Sequence, residues 1–155
     1  VVKKYPDLKI KIIGAKDNFF NDMESFCREF NIVDNVEFLG AVDNNKIPNF
    51  LSNSIAYLQP SDTETFGVAV VEALSCGIPV IVSTRGALPE IVGNAGLFVD
   101  QNSAESIAAG IFRLLDMPSS ERFRLGQLGR RRVVERYAYA SRKLKIEKLL
   151  KEINY

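Results

Sequence analysis

Two glutamates, Glu64 and Glu72, lie on either side of the predicted start of an apolar helix. The helix is predicted to begin near Gly67, where the missing side chain lets a ligand approach the backbone closely. The N–H groups of the next three residues, Val68 to Val70, would be free at this helix end and would favour a phosphate. Carboxylates repel an anion but accept hydrogen bonds from hydroxyl groups. The pattern therefore favours a ligand with both phosphate and hydroxyl groups, as in a nucleotide sugar.

The elements that must position this pair are predicted to be a strand, a loop, a helix and a second strand. β-branched and aromatic residues favour a strand over Ile55 to Leu58, and Gln59 to Thr63 is typical of a loop. Gly77 followed by Pro79 is a usual helix stop, and a strand over Val80 to Val82 follows it. The first glutamate therefore lies in the turn before the helix, and the second lies one to two turns inside it.

The order of residue types in this stretch resembles the E-F-G-E-A-G-P-V signature of retaining GT-B glycosyltransferases, family four. Two glutamates alone would be a weak signal, whereas Phe-Gly between them and Gly-x-Pro-Val after them make the match specific. The segment Ser83 to Glu90 similarly resembles the Gly-Gly-x-Pro-Glu turn of that family, with Ala87 in place of the second glycine. The residues that match the signature are Glu64, Phe66, Gly67, Glu72, Ala73, Gly77, Pro79 and Val80.

The resemblance implies a role for each candidate site residue. Glu64 is implied to contact the transferred sugar and is the catalytic candidate, and Glu72 is implied to hold the ribose hydroxyls. The other donor-binding candidates are Phe66, Gly67, Val68 and Ala69, whose backbone would meet the sugar and pyrophosphate, and Phe38, Leu39 and Gly40, which would lie near the base.

The resemblance, which covers roughly Tyr5 to Asp116, also implies a fold and a reaction. The fold is α/β, with a Rossmann-like, doubly wound parallel sheet that forms the C-terminal half of a GT-B enzyme. The reaction is transfer of a hexosyl group from a UDP- or GDP-linked sugar to a glycan, lipid or saccharide, with retention of anomeric configuration, as in polysaccharide biosynthesis. No metal or other cofactor is expected, because a helix dipole and basic side chains would replace a cation at the leaving diphosphate.

Two elements of the family are expected to lie outside this sequence. They are the first strand of the domain and the N-terminal acceptor domain. Residues 1–155 are therefore expected to form the nucleotide-sugar binding domain without its first strand, and to be inactive alone. The whole protein is expected in the cytoplasm, with peripheral association at the inner face of the membrane.

The composition limits the partners and the chemistry of the chain. With 20 basic and 19 acidic residues the net charge is +1, so no overall field favours nucleic acid. The basic run Arg130 to Arg132 is interpreted as a solvated face, because consecutive helical residues point in different directions. The absence of histidine removes the commonest general base. Cys27 and Cys76 lack a metal-ligand or redox spacing and are assigned to packing.

The rest of the chain alternates between strands and helices. A helix capped by Asp17 or Asn18 is predicted to run to Phe30, and its aromatic side chains are assigned to the core. A carboxylate such as that of Glu72, among apolar neighbours, is costly to bury unless it is paired. The other predicted elements are a helix ending at Pro6, strands over Leu8–Ile13, Val36–Leu39 and Gly96–Val99, a short helix over Lys46–Ser52 that Asp43 caps, a helix capped by Ser103 that runs to Asp116, and two or three helices over about 121–153 with a break around Tyr137 to Ser141.

Three other classes of protein were weighed against this interpretation. A nucleotide-sugar epimerase on the same fold would use the same ligand without an acceptor, and a non-catalytic module would bind it without reaction. A flavodoxin-like receiver domain with Asp62 as phosphoacceptor is disfavoured, because Ile13 is followed by Gly14 and Ala15 where further acids are needed. Assaying sugar transfer against epimer formation separates the two enzymes.

Overall fold

The computed structural model of the chain describes residues 1–16 and 19–153. The chain divides into two compact units, Val1–Ile47 and Pro48–Tyr155. The elements in chain order are β1 (Ile10–Ile13), α1 (Phe20–Glu29), β2 (Val36–Gly40), α2 (Ile47–Ser52), β3 (Tyr57–Gln59), α3 (Val68–Ser75), β4 (Val80–Ser83), α4 (Leu88–Val92), β5 (Gly96–Val99), α5 (Ala104–Asp116), α6 (Ser119–Arg136) and α7 (Tyr139–Ile153).

The second unit contains a three-stranded parallel sheet in the order β3, β4, β5. Tyr57 of β3 pairs with Val80 of β4, and Gln59 pairs with Val82. Val80 pairs in turn with Gly96 of β5. Parallel strands need a crossover between them, and here α3 and α4 supply the two crossovers. The expected α/β fold class with parallel strands is confirmed.

The core of this unit is centred on β4, whose four side chains are all buried. On one face Ile81 packs with Leu97, Val99 and Leu114, and α5 covers that face through its apolar stripe. The other face carries Val80 and Val82 and is contacted by α3, which buries Val70, Ala73 and Leu74. Helices therefore cover both faces of the sheet.

Two glycines let α6 lie directly against α3. A Cβ atom on Gly126 would overlap the carbonyl oxygen of Gly77, and one on Gly129 would overlap the Cδ2 atom of Leu74. Both glycines are buried. The close approach of α6 therefore requires hydrogen in place of a side chain at these two positions.

The first unit contains a two-stranded parallel sheet, β1 with β2, and the helix α1. Cys27 is the one buried side chain in its described part, residues 1–16 and 19–47. Phe19, Phe26 and Phe30 are 69%, 58% and 65% exposed. Their assignment to the core was wrong, because helical spacing identifies a shared face but does not supply the surface that would cover it.

Several element boundaries differ from the sequence-based expectation. Residues 1–7 form turns and no helix, and the predicted caps Asp17 and Asn18 lie outside the described residues. The strand before the central loop begins two residues later than predicted, at Tyr57, and ends one residue later, at Gln59. The side chain of Asp43 pairs with Lys46 at 3.5 Å and makes no cap hydrogen bond. Ser103 does cap α5, because its Oγ accepts from the Ser106 N–H at 3.1 Å.

The C-terminal part matches the prediction of helices with a break. α6 ends at Arg136 and α7 begins at Tyr139. Cys27 is buried and Cys76 half-buried, as their assignment to packing requires. Across residues 1–16 and 19–153, none of the helices has both the length and the apolar character needed to cross a membrane.

Substituting Gly126→Ala should destabilise the chain by about 2 kcal/mol. The added methyl group overpacks the contact with the Gly77 carbonyl, which costs about 1–3 kcal/mol, while alanine returns at most about 1 kcal/mol of helix propensity. Urea unfolding followed by circular dichroism measures the difference. The control Arg130→Ala, at an exposed position on the same helix, should change stability by less than about 0.5 kcal/mol. A Gly126→Ala variant as stable as the wild type would contradict the packing argument.

Candidate active site

The side chain of Glu64 caps the start of α3. Gly67 is the N-cap residue, with φ of +75°, a left-handed conformation that favours glycine. One carboxylate oxygen of Glu64, Oε1, accepts from the Gly67 N–H at 2.9 Å and from the Phe66 N–H at 3.4 Å. The carboxylate therefore takes the place of a capping side chain and complements the positive end of the helix dipole.

The other carboxylate oxygen of Glu64 is held from the sheet. Its Oε2 atom accepts from the Gln59 side-chain amide at 2.6 Å, and the Gln59 Oε1 atom accepts from the Tyr57 hydroxyl at 2.8 Å. Burial and the nearby carboxylates of Glu64 and Glu72 raise the pKa of Tyr57 to about 12. The phenol therefore keeps its proton at physiological pH and acts as a donor.

The backbone of Glu64 is fixed by the loop that follows β4. The Ala87 N–H donates to the Glu64 carbonyl oxygen at 3.0 Å. Gly86 has φ of +55°, and a Cβ atom there would overlap the same carbonyl oxygen. The buried Ser83 hydroxyl donates to the Ser61 carbonyl at 2.5 Å and joins the two loops a second time. The structure thus brings together the loops after β3 and β4.

The alanine that departs from the resembled Gly-Gly turn is accommodated without strain. Ala87 has φ of −78° and ψ of −9°, which any residue adopts. Gly86 is the position in this turn that needs glycine, for both its φ and its contact with Glu64. Alanine at position 87 therefore adds no backbone strain to the loop.

Glu72 lies one turn beyond Val68 on α3, and both residues are exposed. Residues four apart on a helix share a face, so Glu72 lies on the same exposed face of α3 as the side chain of Val68. No burial penalty applies to Glu72, because the residue is exposed, although its carboxylate is near enough to β3 to contribute to the raised pKa of Tyr57. The cost of burying this carboxylate, a concern raised by its apolar neighbours in the sequence, does not arise.

The helix start leaves three backbone donors available. The N–H of Val71 is bonded to the Gly67 carbonyl at 3.0 Å, and in the described chain no acceptor is recorded for the N–H groups of Val68, Ala69 and Val70. Phe66, 45% exposed, makes an edge-to-face contact with Tyr137 at 5.8 Å between ring centroids. The donors and the aromatic ring together border an open surface at the start of α3.

The residues predicted to lie near a base belong to the first unit. Phe38 and Leu39 are half-buried in β2, and the Phe38 ring contacts Phe20 edge-on at 5.1 Å. Gly40 has φ of +70° and accepts from the Gly14 N–H at 3.0 Å. Their role in binding a base stays a prediction.

A cavity of about 410 Å³ in the second unit does not coincide with the glutamate site. It is lined by residues of β5, α5 and α6, among them Asn94 and Gly96 at the amino end of β5. In a parallel sheet the loop that carries Glu64 lies at the opposite end, the carboxyl end of the strands. The geometry of the glutamates, and not the size of this cavity, identifies the candidate site.

Sequence reasoning missed Tyr57, Gln59 and Gly86. Tyr57 was given no role and Gln59 was placed in the loop, yet both belong to β3. A period of two along a strand places residues 57 and 59 on the same face, next to the loop that carries Glu64, and this spacing was the available signal. For Gly86, the glycine itself, at a turn after a strand, was the signal of a close backbone approach.

The site at the start of α3 combines the carboxylate that caps the helix, an exposed carboxylate and free N–H groups. On an α/β sheet, this combination suits a ligand with phosphate and hydroxyl groups. The chain belongs to the family described as glycosyl transferases group 1, whose model matches residues 1–132. Membership in this family is consistent with the signature read from Glu64 to Val80.

Relatives and solved structures agree with this assignment. The chain is 30% identical over 149 residues to a GDP-mannose-dependent monoacylated alpha-(1-6)-phosphatidylinositol monomannoside mannosyltransferase of Corynebacterium glutamicum, covering 90% of this chain and 38% of the relative. It superposes with a TM-score of 0.79 and 28% identity on the C-terminal domain of the glycosyl transferase group 1 protein LpcC of Francisella tularensis, covering 89% and 74%. HepE of Anabaena in complex with UDP-glucose shares the fold, with a TM-score of 0.83, 18% identity and coverage of 95% and 42%. The chain spans from 20% to 38% of the length of the curated relatives.

Substituting Gly86→Ala should displace Glu64 and destabilise the chain by about 2 kcal/mol, because a left-handed conformation costs roughly 1–2 kcal/mol for alanine and the methyl group overlaps the Glu64 carbonyl. The Gly67 amide signal in a ¹⁵N–¹H spectrum should shift, since this N–H would lose its carboxylate acceptor. Gly14→Ala is the control, because open space surrounds Gly14. An unshifted Gly67 signal in a folded Gly86→Ala variant would refute the connection between the two loops.

Proposed function

We propose that this chain is the donor-binding domain of a glycosyltransferase that transfers a hexosyl group from a UDP- or GDP-linked sugar with retention of anomeric configuration. The observation that carries the proposal is the pair of carboxylates at the start of α3, with Glu64 locked in place and Glu72 exposed. A rigid acid beside the N–H groups of a helix suits a sugar linked to a diphosphate.

Glu64 acts on the transferred sugar. A carboxylate offers about four acceptor positions, and Gln59 and Gly67 each occupy one strongly. The remaining positions accept hydrogen bonds from sugar hydroxyls. As the bond to the diphosphate breaks, positive charge develops at the anomeric carbon, and a fixed negative charge nearby stabilises the transition state more than the bound donor.

The helix start acts on the diphosphate. The N–H groups of Val68, Ala69 and Val70, with the helix dipole, stabilise the negative charge that grows on the leaving group. Gly67 and Phe66 allow the sugar to lie close to the backbone. This arrangement supplies the electrostatic role that a metal ion fills elsewhere, so we propose transfer without a metal or other cofactor.

Glu72 binds the nucleoside. Its carboxylate lies one helical turn, about 5 Å, beyond the first N–H groups, so it can accept from ribose hydroxyls while the diphosphate occupies the helix end. The named donor of the Corynebacterium glutamicum relative, GDP-mannose, supports a nucleotide sugar as the ligand class.

The rest of the proposal concerns the whole protein. Because the chain spans at most 38% of the curated relatives' length, we propose that a further domain binds the acceptor and that a preceding strand completes the donor domain. The acceptor is a glycan, a lipid or a saccharide. We place the protein in the cytoplasm with peripheral membrane association, a proposal supported by exposed apolar side chains among lysines on α7.

The two glutamates should respond differently to substitution. Glu72→Ala should weaken UDP or GDP binding by roughly 10- to 150-fold, the factor for a lost hydrogen bond to a charged group. Glu64→Gln should leave nucleotide affinity nearly unchanged and lower transfer by the whole protein, because the amide oxygen can still accept from Gly67 while the charge and the acceptor that Gln59 uses are lost. Calorimetric titration and turnover measure the two effects.

Two controls make this comparison decisive. Glu135→Ala, at an exposed position on α6, should change neither quantity. Glu64→Ala also removes the cap, so a part of its effect is lost stability, about 1 kcal/mol. Equal losses of nucleotide affinity in the Glu64 and Glu72 variants, or full activity of Glu64→Gln, would rule out the separate roles.

The 155-residue chain should bind a nucleoside diphosphate without turning over a nucleotide sugar. A ligand at 100 times its dissociation constant stabilises a folded protein by about 2.7 kcal/mol, which a thermal-shift screen of UDP- and GDP-sugars detects. Turnover to a glycoside by the isolated chain would contradict the need for a further domain. Epimerised sugar produced by the whole protein, in place of a glycoside, would identify an epimerase.

A further inference from the structure

We propose that Gln59 and Tyr57 are positioning residues for sugar transfer, acting through Glu64 as a hydrogen-bonded relay from β3. The proposal rests on the proposed function for the reaction that the relay serves. The relay consists of the Tyr57 hydroxyl, the Gln59 amide and the Glu64 carboxylate, joined at 2.8 Å and 2.6 Å.

The direction of each hydrogen bond in the relay follows from the chemistry of its two ends. An ionised carboxylate only accepts, so the Gln59 atom that faces Glu64 must be the NH₂ group. The amide oxygen then faces Tyr57 and needs a donor, which the phenol supplies. Tyr57 therefore fixes the orientation of the amide, and the amide fixes one oxygen of Glu64.

The relay adds a constraint that the helix cap alone lacks. The Gly67 and Phe66 N–H groups hold Oε1 of Glu64 at 2.9 Å and 3.4 Å, and because both bonds end on the same oxygen they leave Oε2 unfixed. A bond to Oε2 from the rigid sheet fixes the plane of the carboxylate. The remaining acceptor positions of the carboxylate then point in fixed directions toward a sugar. Transition-state stabilisation depends on how precisely these acceptors are oriented.

Position and burial support the relay. Gln59 and Tyr57 are half-buried, and β3 is paired with β4, whose side chains are buried. Side chains on such a strand lose little further freedom when they form hydrogen bonds. Because the Gln59 amide donates to Glu64 from the sheet, the acceptor positions on the opposite side of the carboxylate stay open to a ligand.

The first experiment uses the 155-residue chain and needs no ligand. Hydrogen exchange of side-chain amides, followed by NMR, should show protection of the Gln59 NH₂ group. Gln101 is the internal control, because its Nε2 atom also donates to a carboxylate, that of Asp62, but at an exposed site and at 3.2 Å. Protection at Gln59 should fall in Tyr57→Phe and be lost in Glu64→Ala. Exchange at Gln59 as fast as at Gln101 in the wild type would overturn the proposal.

The second experiment measures transfer by the whole protein. Gln59→Leu should lower kcat by roughly 10- to 150-fold, with the KM for the donor changed less than about threefold, and Tyr57→Phe should lower kcat by roughly 2- to 10-fold. The double variant should be no slower than Gln59→Leu, because Tyr57 acts only through the amide. Gln101→Leu should keep kcat within about twofold of the wild type.

The outcomes separate the relay from the reaction. If the kcat losses of the two single variants multiply in the double variant, or if Gln59→Leu changes KM alone, the two residues have a merely structural role. Either result would overturn the relay. If the wild-type protein transfers no sugar, the proposed function fails, and the amide exchange of the 155-residue chain then decides the relay by itself. Circular dichroism of each variant confirms that a loss of kcat is not a loss of fold.

Discussion

The hydrogen bond between the Glu64 carboxylate and the Gly67 N–H is the interaction on which the rest of the site depends. This bond fixes Gly67, the residue at which the loop ends and α3 starts. The free N–H groups of the helix and the Glu64 carboxylate therefore lie at the same surface. Without this bond the left-handed turn at Gly67 would lose its partner, and the carboxylate and the amide donors would no longer share one ligand. One contact therefore sets both the secondary structure and the chemistry.

The elements around this contact pack closely at glycine residues, which have no side chain. Gly126 and Gly129 bring α6 against α3, and Gly86 brings the loop after β4 against Glu64. Arg132 of α6 donates to the carbonyl oxygens of Glu90 and Ile91, at the end of α4, at 2.5 Å and 2.7 Å. Backbone atoms, whose positions are less adjustable than side chains, are thus one partner in each of these contacts. The basic run of α6 accordingly has one member, Arg132, that is engaged inside the unit.

Much of the second unit could be predicted from the sequence because its signals are local. Gly67 and the Gly77-Pro79 pair mark the ends of α3, and Ser103 marks the start of α5, through conformations that the residues themselves prefer. The relay through Gln59 and the crowding at Gly86 could not be predicted with the same ease, since both depend on segments that meet only after folding. The exposed aromatics of α1 show the converse, because a correct helical period says nothing about what covers the face.

The near absence of buried side chains in the first unit has a consequence for how the chain unfolds. Cys27 alone is buried among the described residues before Pro48, and a two-stranded sheet is marginally stable in water. The two units are therefore expected to differ in the free energy of local opening, with the backbone amides of β1 and β2 exchanging with solvent through fluctuations that leave β4 closed. We therefore expect the chain to melt in more than one cooperative step, so that a single transition temperature would describe only the later one.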